Sequence, residues 1–243
     1  MFRTLLLDRL ALPRPAVALK CEGCGAQVDR QGAHYTCCNR TGRIRRRAMP
    51  IERIVARICR EAGAVVRTNV LLRDMNIGVD AGDGRQLEVL AQGLPCYAGA
   101  QLAVDVTLRS SLTAGGEARG RAAVEDGAVC SDARKDKETK YNELVSSNRC
   151  RLVVLAMEVG GRCSAETVEF LEALSWARAR SSSTSVRFAA ALGWRRRWLR
   201  MLACSAARAW AESVTSPADL LWGAPVDGDT PPVAEVLAED ARA

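Results

Sequence analysis

Four residues near the N-terminus of this 243-residue sequence have the types and spacing of a metal site. Cys21 and Cys24 are separated by two residues, and the only histidine of the chain, His34, precedes Cys38 by four. Thiolate and imidazole groups at these spacings are typical ligands of tetrahedral zinc. Cys37 competes with Cys38, and the spacing leaves that choice open. Four protein ligands would leave no position for a substrate, so we expect a structural zinc.

Two acidic residues, Glu88 and Asp105, stand in segments whose composition and alternation predict β-strands, at 85–91 and 100–109. Antiparallel pairing of these strands would bring the carboxylates together, where they repel each other unless a cation lies between them. Magnesium or manganese would fit and would activate water for phosphodiester cleavage. Lys137 or a neighbouring residue is expected to add a positive charge there. The alternative is that both acids are edge charges or salt-bridge partners.

Positive charge is concentrated at the N-terminal end. Residues 1–60 hold 13 Lys and Arg against 4 Asp and Glu, although the whole chain has a formal net charge of only +7. The densest part is an arginine cluster made up of Arg43, Arg45, Arg46 and Arg47. We expect these four side chains to bind the phosphates of a nucleic acid. The alternative is a solvated surface that keeps the protein soluble.

The hydrophobic periodicity predicts seven helices and strands between Pro50 and residue 180. They are a helix from Pro50 to Gly63, strands at 64–73, 85–91 and 100–109, a helix at 132–144, a strand at 151–159 and a helix from Ser164 to about residue 180. This order predicts an α/β (α+β) fold, in which helices cover both faces of a mixed sheet.

A last helix is predicted at 187–213, where arginines alternate with aromatic residues such as Phe188 and Trp198. Such a helix either follows a phosphate backbone or packs on its own domain with solvated arginines. From Pro217 onward the chain is acidic, which predicts a disordered tail. No segment approaches the roughly 18 consecutive apolar residues of a membrane span, and we expect neither a signal peptide nor a membrane partner.

The stretch from Cys21 through the helix after Ser164 resembles the C-terminal region of non-LTR retrotransposon polyproteins, in which a CCHC zinc knuckle precedes a restriction-enzyme-like endonuclease. The resemblance covers most of the chain. The segments that carry it are Cys21-Glu-Gly-Cys-Gly with His34 to Cys38, Ile51-Glu-Arg-Ile with Arg60-Glu-Ala-Gly, Arg73-Asp-Met-Asn-Ile-Gly, Arg85-Gln-Leu-Glu-Val, Gly99-Ala-Gln-Leu-Ala-Val-Asp-Val-Thr-Leu, Lys137-x3-Tyr141 and Glu158-Val-Gly-Gly-Arg.

The resemblance implies a restriction-endonuclease-like fold and a metal-dependent nuclease that nicks target DNA, so that a reverse transcriptase can prime from the free end. It favours Cys38 over Cys37 as the fourth zinc ligand. The residues that it assigns to the catalytic centre are Glu88 and Asp105 as metal ligands, Lys137 on the following helix, Tyr141 one turn further on, and Glu52 as an additional acid. The family's Pro-Asp pair is missing at the first acid, and Val106-Thr107 stands where the general nuclease fold has a lysine.

These expectations divide the chain into three units. Residues 1–47 form the zinc knuckle and basic segment, 48–180 the endonuclease domain, and 181–243 the basic aromatic helix with its acidic tail. A polymerase does not fit into this length, so the reverse transcriptase would belong to a parent polyprotein. The expected partners are DNA and the element's RNA, and the expected location is the nucleus, with the cytoplasm as alternative. The competing function is a catalytically inactive zinc-knuckle protein that only binds nucleic acid.

Overall fold

A four-stranded mixed β-sheet forms the centre of the protein in the computed structural model, which describes residues 2–10, 20–29, 32–147 and 149–215. The strands, in their order across the sheet, are β1 (Val65–Leu71), β2 (Gln86–Gln92), β3 (Gln101–Arg109) and β4 (Cys150–Glu158). The helices are α1 (Phe2–Arg9), α2 (Arg43–Glu61), α3 (Ala128–Lys140), α4 (Asn142–Val145), α5 (Ala165–Ala179) and α6 (Arg187–Val214). The predicted acidic tail from Pro217 onward lies outside the described residues.

Strands β1, β2 and β3 pair antiparallel in sequence order, and β4 joins β3 in parallel. A parallel neighbour requires a crossover connection, which α3 and α4 supply between β3 and β4. Every residue from Leu152 to Met157 is buried, as is typical of a parallel strand with both faces covered. The sequence prediction of a three-stranded meander followed by a buried strand is confirmed.

Helices cover both faces of the sheet. On one face, the helices α2, α5 and α6 contribute side chains such as Ile51, Phe170 and Leu202 to a core. Residues of the strands that point to this face complete the core. On the other face, α3 and α4 contribute Ala133 and Leu144 to a second core. The predicted α/β class, with a mixed sheet flanked by helices, is therefore confirmed.

Helix α2 begins at Arg43, whereas the sequence predicted a start at Pro50. Proline lacks a backbone N–H and is usual in a first helical turn, which led the prediction to place the arginine cluster before the helix. In the structure Arg43, Arg47, Ile51 and Val55 are all buried, at successive steps of four residues. One buried helix face therefore continues past Pro50, with arginines instead of apolar residues in its first turns.

The predicted helix at 132–144 is divided in the structure. It begins earlier, at Ala128, directly after Gly127 with a φ of 79°, and the chain leaves the helical conformation at Tyr141 before the short α4. The start of α5 agrees with its prediction, because the Ser164 hydroxyl accepts a hydrogen bond from the Thr167 backbone N–H at 3.1 Å.

Helix α6 packs against both α2 and α5, and Trp198 and Leu202 are fully buried there. Near the end of the helix, Trp210 packs with Cys21 and Tyr35 of the cysteine-rich segment. The boundaries predicted after residues 47 and 180 therefore lie within continuous packing. Neither α6 nor any other helix among the described residues is long and apolar enough to cross a membrane.

Glu61, the last residue of α2, links this helix to α6. Its carboxylate accepts hydrogen bonds from the buried Trp198 Nε1 at 2.9 Å, from Arg197 at 3.2 Å and from Arg57 at 2.8 Å. The bond from Arg197, together with those from Trp198 and Arg57, lowers the pKa of Glu61 to about 2 despite partial burial. The ionised form of Glu61 therefore stabilises the contact between the two helices.

Replacing Glu61 with Gln is expected to lower the free energy of unfolding by about 1 kcal/mol at pH 7, because a neutral amide accepts these bonds more weakly. Since the folded pKa lies below the unfolded value of about 4.3, the contribution is complete above pH 5 and is lost as the pH falls towards 2. Urea unfolding of both proteins from pH 7 to pH 3 measures the difference. A deficit of unchanged size at pH 3 would contradict this account.

Candidate functional site

The cysteine-rich segment brings four potential ligand atoms together. The Sγ atoms of Cys21, Cys24 and Cys38 and a ring nitrogen of His34 all lie within 4.8 Å of one another. The Sγ of Cys38 is 3.8 Å from those of Cys21 and Cys24. Zinc with bonds of about 2.3 Å to sulfur would set tetrahedral ligands roughly 3.8 Å apart. The four side chains therefore form a potential metal-binding group with a geometry compatible with zinc.

A tight turn positions the first two ligands. The Cys21 N–H donates to the Ala26 carbonyl at 2.8 Å, and Gly25 in the turn has a φ of 73°, which favours glycine. At Gly23 a side chain would approach the Arg40 backbone to 2.9 Å, so a residue without Cβ is required there too. The two glycines explain how a short loop places both thiols on one side.

The Cys21 thiol lies in an environment that favours its ionised form. Burial alone would raise the pKa of Cys21, but hydrogen bonds from the backbone N–H groups of Gly23 and Cys24, and from the side chains of Cys24 and His34, lower it below the ordinary value. Because the thiolate is the form that binds metal ions, this environment suits a ligand.

The imidazole of His34 is oriented by a residue far away in the sequence. Its Nδ1 donates to the Ala114 carbonyl oxygen at 2.9 Å, which leaves Nε2 directed at the Cys24 Sγ, 3.2 Å away. A hydrogen bond of this kind fixes the tautomer and ring orientation of histidine ligands in metal sites. The sequence offered no indication of this partner.

The structure distinguishes the two adjacent cysteines. The Cys38 thiol is buried among the other three ligands, whereas the Cys37 thiol is turned away and donates to the Thr113 carbonyl at 3.0 Å. Burial raises the pKa of Cys37. Cys38 is accordingly the fourth member of the group, as the family resemblance implied.

The arginine cluster separates into two pairs. Arg43 and Arg47 are only 4% exposed, and their guanidinium groups donate to backbone carbonyls. Arg43 donates to the Ser213 carbonyl at 2.9 Å. Arg47 donates to the carbonyls of Thr36 and Leu108 at 2.9 and 2.8 Å. These two arginines connect the cysteine-rich segment to the rest of the fold. Arg45 and Arg46 are exposed, so they alone of the four predicted nucleic-acid ligands are freely accessible.

Asp105 is fully buried on β3, and Lys137 of α3 balances its charge. The Lys137 Nζ lies 2.8 Å from each carboxylate oxygen, and the Thr107 hydroxyl donates to one of them at 3.4 Å. An unpaired carboxylate would be costly at this depth, so the aspartate requires a cation beside it. The parallel crossover through α3 brings this cation from a sequence distance of 32 residues.

Glu88 lies beside this ion pair. The β2–β3 register pairs Val89 with Val104, so its extension by one residue sets Glu88 opposite Asp105. Burial, and next the negative charge of Asp105, raise the pKa of Glu88 well above its ordinary value. Its Oε2 atom is buried without a hydrogen-bond partner among the described residues. The side chains of Glu88 and Asp105 are therefore neighbours, and Lys137 is in contact with Asp105.

The other two predicted residues of this centre differ in accessibility. Glu52 of α2 is half-buried, and burial followed by the charge of Asp105 raises its pKa. Tyr141 is fully buried, and its hydroxyl donates to the Gln86 carbonyl at 2.9 Å while accepting from the Lys140 Nζ at 2.6 Å. Glu52 is therefore open to a substrate, whereas Tyr141 supports the strand that carries Glu88.

A cleft of about 900 Å³ opens over this centre. Glu52, Glu88 and Lys137 lie in its wall, which is formed by α2, α3 and one end of β1, β2 and β3. Most of the charged residues around them are basic. Those that line the cleft are Arg45, Arg47, Arg53, Arg60, Arg109 and Arg119. The cleft therefore combines a basic wall, suited to a polyanion, with a cluster of carboxylates.

Asn69 is a cleft residue that sequence reasoning missed. It is exposed on β1 with a φ of 53°, and the β1–β2 ladder continues on both sides of it but not at the pair of Asn69 with Glu88. Asparagine is one of the few residues that adopt positive φ readily, and it is rare in strands. Its presence in a strongly β-forming run was the indication available in the sequence.

The cysteine-rich segment and the cleft share a loop. Residues 110–119 carry the carbonyls bonded by His34 and Cys37, and the Thr36 hydroxyl donates to Ser110 at 3.0 Å. The same loop places Arg119 in the cleft wall. Order in the metal-binding group therefore contributes to the shape of the cleft.

Comparisons of the sequence with known proteins give no assignment. No protein-family model matches the chain, and no curated protein is significantly similar to it. Functional conclusions therefore depend on the residues and their geometry.

Replacing Cys24 with Ser is expected to lower the zinc content from one equivalent, because one of four ligands is lost. Hydrogen exchange should increase in residues 20–40 and in the loop 110–119, which His34 and Cys37 hold. Cys204→Ser provides the control, since Cys204 is exposed on α6 and lies outside the metal-binding group. A full equivalent of zinc bound to the Cys24 variant would refute the ligand set.

Proposed function

We propose that this protein is a metal-dependent DNA endonuclease of the restriction-enzyme-like kind, derived from a non-LTR retrotransposon. The observation that carries the proposal is the grouping of Glu88, Asp105 and Lys137: Glu88 and Lys137 line a basic cleft, and Asp105 is buried in contact with Lys137. Two acids on neighbouring strands and a lysine within contact are the groups that such nucleases use. Basic side chains around them would hold the phosphates of the substrate.

The arrangement of the elements supports the proposed relationship. The resemblance implied that the lysine would come from the helix after the second acidic strand, and Lys137 does lie on α3, directly after β3 in the order of helices and strands. Glu52, which the resemblance added as a third acid, lies in the same cleft. We therefore propose a restriction-endonuclease-like fold for the sheet and its flanking helices.

Magnesium or manganese would fit beside Glu88 and Asp105. The buried Oε2 of Glu88 has no hydrogen-bond partner among the described residues. Burial and the charge of Asp105 raise the pKa of Glu88 to about 8, so a cation that binds there would displace a proton. Glu88 and Asp105 would hold the ion, because both metals prefer carboxylate oxygens. When bound, it would activate water and offset the charge that develops on the phosphate.

The remaining residues of the centre would have separate tasks. Lys137 holds the Asp105 carboxylate in place and adds positive charge at the cleft. Glu52 can accept a proton from an attacking water, because its raised pKa brings it closer to neutral pH. Tyr141 positions β2 through its bond to Gln86 and does not reach the substrate.

We also propose that the group of Cys21, Cys24, His34 and Cys38 holds a structural zinc. Its four ligands complete a tetrahedral shell, so the ion would stabilise the fold and take no part in catalysis. Action on chromosomal DNA would require the protein in the nucleus, with the parent element's reverse transcriptase and RNA as further partners.

A nucleic-acid-binding protein without nuclease activity is the second candidate function. One observation favours it: Lys137 already contacts both oxygens of Asp105, the atoms that a divalent cation would use. If that ion pair persists, the basic cleft would still bind DNA but would not cleave it.

Nicking of supercoiled plasmid by the zinc-loaded protein, with and without Mn²⁺, distinguishes the two functions. We expect Mn²⁺-dependent nicking, and we expect Asp105→Asn to reduce its rate by a factor of about 100 or more, since several kcal/mol of transition-state stabilisation are lost. Binding of DNA should remain. Asp126→Asn is the control, because Asp126 is exposed and pairs with Arg162.

Two outcomes would contradict the assignment. Nicking that persists at the wild-type rate in the Asp105 variant would remove Asp105 from the active centre. If the folded, zinc-loaded wild type binds DNA but never nicks it, the second candidate function is supported instead.

A further inference from the structure

Helix α6 presents a face whose positive charge is only partly compensated. From Arg187 to Ala211 it contains no acidic residue. The arginines that have partners are Arg195 with Glu172, Arg197 with Glu61 and Arg208 with Glu212. Arg196 and Arg200 are both exposed, and neither forms an ion pair with a described residue. These two side chains are available to an external anion.

Two exposed aromatic rings meet where the start of α6 packs beside α5. Phe188 is 70% exposed and Trp176 of α5 is 41% exposed, with ring centroids 6.2 Å apart and planes inclined by 54°. Of the tryptophans of α6, Trp198 and Trp210 are buried and Trp194 is partly buried. Burial of the free ring faces against a flat apolar group would be favourable.

Phe188 and the two free arginines follow one another along the exposed part of α6. At about 100° and 1.5 Å per residue, Arg196 lies about 80° around the helix from Phe188 and Arg200 about 40° further, so the three positions span about a third of the helix circumference over about 18 Å. Between them the exposed residues are small, namely Ala189 and Gly193, so an extended chain can approach the helix closely. The exposed rings could contact the bases of a nucleic-acid strand, and the arginines without ion-pair partners could contact its phosphates.

We infer that the face of α6 formed by Phe188, Arg196 and Arg200, with Trp176 beside it, binds single-stranded nucleic acid. The arginines would contact phosphates, and the rings would stack on unpaired bases, which a duplex keeps inside its own stack. The surface is separate from the cleft, whose lining includes no residue beyond Lys137. The inference thus goes beyond the proposed nuclease and does not require its activity.

The test measures binding of fluorescent oligo-dT and oligo-U, and of a duplex of equal length, to the zinc-loaded full chain at several salt concentrations without Mn²⁺. We expect Arg196→Ala with Arg200→Ala to weaken binding of the single strands about tenfold and to lower the slope of log affinity against log salt by about 1.4. Phe188→Ala should weaken binding about tenfold with an unchanged slope, and Phe188→Tyr should restore it. Tighter binding of oligo-dT identifies single-stranded DNA as the ligand, and tighter binding of oligo-U identifies RNA.

A matched control removes two other exposed arginines, Arg121 and Arg162, which pair with Glu125 and Asp126. An equal effect of the control pair on affinity and slope would overturn the inference, because net charge alone would then explain it. A loss as large for the duplex as for the single strands in the Phe188→Ala variant would overturn the stacking role. Unaltered binding of single strands in both α6 variants would also overturn the inference, because neither the arginines nor the ring would then contact the ligand.

Discussion

The buried carboxylate of Asp105 is the constraint on which the rest of the structure depends. A charge at that depth is tolerated only beside a cation, and the sheet order places α3, with Lys137, within 2.8 Å of it. Glu88 on the neighbouring strand β2 is a second acid at this position. No further lysine or arginine among the described residues forms an ion pair with it, and its Oε2 has no hydrogen-bond partner there. The result is a centre of two acids and one lysine from three different elements, in which burial and Asp105 raise the pKa of Glu88, and in which Glu88 and Lys137 line the basic cleft.

The cysteine-rich segment and the two buried arginines keep that cleft in shape. Arg43 donates to the Glu22 carboxylate of the segment and to the Ser213 carbonyl of α6. Arg47 donates to the Thr36 carbonyl of the segment and to the Leu108 carbonyl of β3. Both guanidinium groups are buried, so these bonds satisfy N–H groups that burial would otherwise leave unpaired. The metal-binding group and the cleft are consequently parts of one packed unit, although sequence patterns suggested separate modules.

The elements and several site residues could be predicted because local signals were strong. Alternation in 100–109 predicted the strand that carries Asp105, and spacing together with the single histidine predicted the metal-binding group. Two features could not be predicted, since they depend on long-range contacts: the helix face that continues through Pro50 uses buried arginines, and the His34 ring is oriented by Ala114. The positive φ of Asn69, where the ladder opposite Glu88 is interrupted, had a local indication in the sequence that the prediction did not use.

The most direct test of the central claim is the binding of Mn²⁺ itself, measured by the electron paramagnetic resonance signal of the free ion. Zinc-loaded wild-type protein is predicted to bind Mn²⁺ at one site, and Glu88→Gln to lose that site while the fold and zinc content are retained. Absence of Mn²⁺ binding by the wild type, or equal binding by the variant, would contradict a cation centre between Glu88 and Asp105.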